Sequence, residues 1–198
     1  MKQSGRSMIE MLGVLAIIGV LTVGSITAYS RAMRRHLLNK QREQISYILS
    51  AAETHHDIIF ANSLPSTNLM PIFKTFGWIP EEMIKDDSNY IYDVFKNRVS
   101  FGYVGSEEPY LDLTLELAHD NPHEQCINLY QMIIKQYHSF LWLTEVYKYT
   151  NEGHYTNKYF GDKYCGRLCI RDLTPTEISE LCRVCDDARY CRFVMLGK

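Results

Sequence analysis

Glu10 sits where a carboxylate is least welcome. From Met8 to Tyr29 the chain reads MIEMLGVLAIIGVLTVGSITAY, and Glu10 carries the one charge in that stretch. A charged side chain at mid-membrane costs roughly 2.5–3.5 kcal/mol on insertion scales, so it is retained where a partner neutralises it. Glu10 therefore calls for a cation, and the run around it supplies none. The other reactive residues lie far away: Cys126, Cys165, Cys169, Cys182, Cys185 and Cys191 all fall in the C-terminal part. Such crowding fits disulfides in an oxidising compartment or a bound metal.

The spacing leaves both open, because Cys165-x3-Cys169 and Cys182-x2-Cys185 resemble the paired ligand hairpins of a zinc ribbon. Export across a membrane favours disulfides, and no metal is expected. A redox role for Cys182-x2-Cys185 lacks a thioredoxin-like βαβ context. The seven histidines, His36, His55, His56, His119, His123, His138 and His154, show no ligand spacing such as His-Glu-x-x-His. No nucleophile motif or phosphate-binding loop is present, and adjacent His55 and His56 point to different faces of a helix. The expectation is a protein that is not an enzyme and uses no cofactor.

The elements that position these residues follow from composition. At 198 residues and 46% hydrophobic content the chain can bury one core, with the apolar block inflating the count. A net charge of −2 gives no field for nucleic acid, which is not predicted as a partner. The Met8–Tyr29 run is close to the ~20 residues that cross a bilayer as a helix. It lacks the layout of a cleaved secretory signal, in which a basic stretch precedes the apolar run and a small-residue site follows it. Arg31, Arg34 and Arg35 follow the run whereas Lys2 and Arg6 precede it, against the positive-inside tendency.

The boundary before the run, MKQSG followed by RSMIE, resembles the processing site of type IV prepilins and the related pseudopilins. In that family a short basic leader ends in Gly, a prepilin peptidase cuts after it at the cytoplasmic membrane face, and a Glu lies five residues beyond. Gly5 and Glu10 occupy those positions. The resemblance implies that Glu10 pairs with the new α-amino group of a neighbouring subunit, exposed at Arg6 by cleavage, and so registers one helix against the next in filament assembly. The family usually has Phe or Met where this chain has Arg6, a difference that bears on cleavage and N-methylation.

No proline occurs from Arg6 to Leu64. Met33, Leu37, Leu38, Ile45, Ile48, Leu49 and Ala52 recur at helical spacing, so the helix is predicted to continue as an amphipathic stem packed on a head. The basic cluster from Arg31 to Arg42 reads as a solvated face. Asn62 to Thr67 breaks the helix, and a short helix follows, ending at Gly77. Val99-Phe101-Tyr103 and Leu111-Leu113-Leu115-Leu117 alternate with polar residues as two antiparallel strands. Asn121-Pro122 and Glu124 start a helix bearing Cys126, and Thr174-Pro175 with Glu177 starts one bearing Cys182 and Cys185, with Leu173 and Ile178 as a staple. Tyr190 to Leu196 reads as a closing strand. The fourteen tyrosines are expected to pack the head or serve surface contacts.

A long helix, the GWIPEEM segment at Gly77 to Met83, two strands and PHEQCINL at Pro122 to Leu129 together look like the head of type IVb pilins. In those pilins a disulfide joins a mid-head helix to the region before the last strand, which implies Cys126 to Cys185, with Cys182 the close alternative. Cys165, Cys169, Cys182 and Cys191 are left for further bridges of open pairing. The predicted class is α+β, with a leader at 1–5, a transmembrane and filament-core helix at 6–29, its amphipathic continuation at 30–61, and a globular head with a Cys-rich end at 62–198.

The resemblance implies a structural subunit of a type IV pilus or pseudopilus, held in a bacterial cytoplasmic membrane with its head outside and then extracted into an extracellular or periplasmic filament. Its partners would be copies of itself or related pilins, the prepilin peptidase and an inner-membrane assembly platform. The alternative is a membrane-anchored extracytoplasmic binding domain that never polymerises, with or without zinc.

Overall fold

With no proline before Pro65, nothing interrupts the backbone ladder of the N-terminal segment. A computed structural model builds it as one helix, α1, Met8–Thr54, of 47 residues, about 70 Å long. The structure describes residues 8–62, 66–85, 90–105, 110–148, 154–155, 158–186 and 191–198. The chain divides into two compact units, Met1–Asn39 and Lys40–Lys198, so the second includes the last part of α1.

Within that second unit, Ile45, Ile48, Leu49 and Ala52 share one face of α1 and are at most 2% exposed. The expected stripe starts later than its sequence pattern: Met33 is 41% exposed, and Leu37 and Leu38 are half-buried. After α1 come a short helix, α2 (His56–Asn62), and then α3 (Met70–Thr75). Gly77 closes α3 at φ +67°, where a side chain would be strained.

One antiparallel sheet organises the rest. Its central strands are β3 (Arg98–Val104), β4 (Tyr110–Leu117), β8 (Cys191–Gly197) and β5 (Leu141–Lys148), side by side in that order. Two-residue strands flank them: β1 (Thr67–Asn68) and β2 (Ile91–Tyr92) on β3, β6 (His154–Tyr155) and β7 (Tyr159–Phe160) on β5. The inner face, with Phe101, Leu113, Phe193 and Val146, packs in one core with the α1 stripe and α4 (Pro122–Gln136). Both expected strands form, and the closing strand lies at the centre of the sheet rather than at its margin.

The capping residues read from the sequence do their work. Asn121 accepts from the Glu124 amide at the start of α4, and Thr174 and Glu177 make a reciprocal capping box on α5 (Pro175–Cys182). All six cysteines are bridged. The structure corrects one pairing: Cys126 joins Cys182, and Cys185 joins Cys191. After Cys182 the chain tightens into a 3-10 turn, Arg183–Cys185, which delivers Cys185 to the first residue of β8 and leaves Cys182 against α4. Cys165 pairs with Cys169, so all four sulfurs of the two cysteine hairpins are taken up in disulfides.

Candidate functional site

In the first unit the candidate site is α1 itself. Its apolar side chains are exposed all round, from Met11 and Leu12 at 59% and 61% to Tyr29 at 65%. An 18-residue window reaches a mean hydropathy of 2.2 with none of it buried, which gives the helix the length and composition to cross a membrane. Four hydroxyls in its apolar stretch are already satisfied: Thr22, Ser25, Thr27 and Ser30 each donate to the carbonyl four residues earlier, at 2.7–3.0 Å. A helix so arranged presents almost no unpaired polar group to lipid or to another apolar helix.

Glu10 is the exception. It lies in the first turn and is exposed, and the next basic residue along α1 is Arg31, about 30 Å up the helix. Among the described residues it has no ion-pair partner. A carboxylate at a helix N-terminus is favoured by the macrodipole, but no described side chain neutralises its charge. Gly5 and Arg6, the expected processing pair, lie outside the described residues.

In the second unit a buried polar cluster fixes the stem end of α1 to the head. Asp93 takes donors on both oxygens: Oδ1 from the amides of Phe95 and Asn97, each at 2.9 Å, and Oδ2 from Asn97 Nδ2 at 2.9 Å and Gln41 Nε2 at 2.7 Å. Gln125 Oε1 on α4 accepts from Gln41 and Asn97, while its Nε2 donates to the carbonyls of His119 and Asp120. Burial pushes the Asp93 carboxyl above its usual range, against the pull of those donors. Two segments therefore meet at the Asp93 carboxylate, and Gln125 ties a third, α4, to the same donors.

The outer face of the sheet carries residues that the sequence reading did not single out. Register places Arg98, Glu116, Arg192 and Tyr147 in one cross-strand row, with Ser100, Thr114, Val194 and Glu145 in the next. Glu116 accepts from Arg98 at 2.6 Å and from Arg192 at 3.0 Å. Asp112 and Glu145 both hold their protons above the usual carboxylate range, chiefly because they are desolvated. A bulge at Leu141/Leu143 explains how Glu145 arrives there: the extra residue, Trp142, resets the alternation, so Thr144 and Val146 turn inward and Glu145 outward. The alternation of β4 already placed Asp112, Thr114 and Glu116 away from the core; their β8 and β5 neighbours required the strand order.

Three of the histidines take part in packing and pairing. His55 stacks on Trp78 at 4.2 Å and His56 on Phe60 at 4.1 Å, while His138 pairs with Asp162 at 2.9 Å. No protein-family model matches the chain, and no curated protein or solved structure matches it.

Proposed function

We propose that this chain is a structural subunit of a type IV pilus-like or pseudopilus-like filament, anchored in a membrane through α1 before its apolar helix packs among copies of itself. The observation that carries the reading is the pairing of two features on one helix: apolar side chains open on every side, and one acid, Glu10, with no ion-pair partner among the described residues. Association of such helices buries the apolar surface, and a cation from another copy neutralises the acid. By the resemblance at MKQSG-RSMIE, that cation is the amine freed at Arg6. The stapled head stays outside the bundle.

A non-polymerising anchored domain shares α1, and the basic residues after the apolar run favour it. Expression with and without a prepilin peptidase separates the two. Intact mass should fall by Met1 to Gly5 when the peptidase is present, and Gly5→Val should abolish that loss. Glu10→Ala should insert in membranes as the parent does and yield no fibres by electron microscopy. An unprocessed chain, or normal fibres from Glu10→Ala, overturns the proposal.

A further inference from the structure

The apolar side chains of α1 that stand open to their surroundings run from Met11 to Tyr29, about 28 Å of helix against a hydrocarbon core about 30 Å thick. With that run in a bilayer, Tyr29 sits at the boundary where tyrosine rings collect. Arg31 and Arg35 follow within about 9 Å along the axis, and both are exposed. Side chains of a helix tilt toward its N-terminus, so both guanidiniums lean back toward that boundary, into the layer of lipid headgroups. Arg34, half-buried, adds a third charge to the same turn.

Neither Arg31 nor Arg35 has an ion-pair or hydrogen-bond partner among the described residues. Glu10 is the one acid in the sequence of the first unit, about 30 Å away along the helix. Four residues apart, the two arginines share a helix face and repel each other, and an anion held between them removes that cost. The planar fork of a guanidinium matches the oxygens of a phosphate, and a layer of phosphates lies at this depth whenever the run is in lipid. A choline or ethanolamine headgroup brings its own ammonium to compete for that phosphate, whereas a glycerol headgroup does not. We infer that Arg31 and Arg35 form a headgroup clamp that selects anionic phospholipid over zwitterionic lipid on the side where α1 leaves the membrane. The inference rests on the anchoring half of the proposed function, and not on leader processing or polymerisation.

The test reconstitutes the full chain in phosphatidylcholine vesicles with a trace of spin-labelled phosphatidylglycerol or spin-labelled phosphatidylcholine. Electron paramagnetic resonance then reads the fraction of each label that is motionally restricted at the protein. Phosphatidylglycerol should be held at least about fivefold more strongly, the contribution of one arginine at a charged surface, and the preference should shrink as salt rises. Replacing both residues, Arg31→Gln with Arg35→Gln, should remove most of the preference, and Arg31→Lys with Arg35→Lys should keep most of it. Arg167→Gln, at an exposed residue of the second unit, should change nothing. Carbonate extraction reports anchoring separately: a chain washed from the vesicles overturns the anchoring and this inference with it. A chain that stays inserted and holds both lipids equally overturns the inference alone, as does a preference that survives the glutamine pair. If the glutamine pair keeps the lipid preference and instead weakens energy transfer between differently labelled copies, the arginines serve the acids of a neighbouring chain and the inference falls.

Discussion

Asp93 shows how one side chain can hold distant segments together while exposing them to pH. Its four donors come from its own hairpin and from Gln41 on α1. Because burial raises its folded pKa above the unfolded value of about 3.9, the native state binds this proton more tightly than the unfolded chain does. Its stability contribution is therefore fully present below the unfolded value and is lost as pH rises through the folded one. Asp93→Asn presents an amide to donors that need an acceptor, and should cost about 2 kcal/mol. Urea unfolding between pH 3 and pH 7 should find the gap between parent and variant widest at the acid end and narrowing upward. A gap that widens with pH would mean that the four donors, not burial, control this carboxyl. Nothing local to Asp93 marks it as buried, since an Asp between a short strand and a turn reads as surface; only the arrival of Gln41, Asn97 and Gln125 around it makes it a buried hub.

At the scale of elements, what was legible is what local rules govern. The two capping motifs, the apolar run of α1 and the alternation of β3 and β4 each depend on neighbours in sequence, and each appears in the structure. The stretch from Leu141 to Lys148 shows no clean alternation because the bulge at Trp142 breaks its period of two, although its β-branched and aromatic residues carry strand propensity. Cysteine pairing depended on the turn after α5, which spacing does not reveal. The bridges should differ in strength as their loops do. Cys126–Cys182 spans a separation of 56 residues and Cys185–Cys191 only 6, for which chain entropy gives about 4 and about 2 kcal/mol. Replacing the first pair by alanines should thus lower the urea midpoint more than replacing the second, and the reverse order would show that native packing outweighs loop closure. Gly161 offers a sharper local test. A Cβ there would run into the backbone carbonyl of Leu141, which cannot yield without breaking the pairing of β7 with β5, so Gly161→Ala should destabilise by about 1–3 kcal/mol in the same assay.

For the molecule as a whole, the division after Asn39 assigns solubility and stability to different parts of one chain. The apolar side chains left open to solvent between Met11 and Tyr29 all belong to the first unit, whereas the buried core begins at Ile45 on α1 and runs to Met195 on β8. Gln41 and Gln44, which α1 contributes to the polar cluster, also lie beyond the boundary. A fragment beginning at Lys40 therefore keeps its three bridges, its sheet and its clamp on α1, and loses the segment that needs lipid or another helix to cover it. Expressed in an oxidising compartment, it should be monodisperse without detergent, while the full chain should require detergent to stay dispersed. Its urea midpoint should match that of the full chain in micelles, because no core side chain has been removed. A fragment that melts much earlier would mean that residues before Lys40 also support the head, and the assignment of stability to the second unit alone would fail.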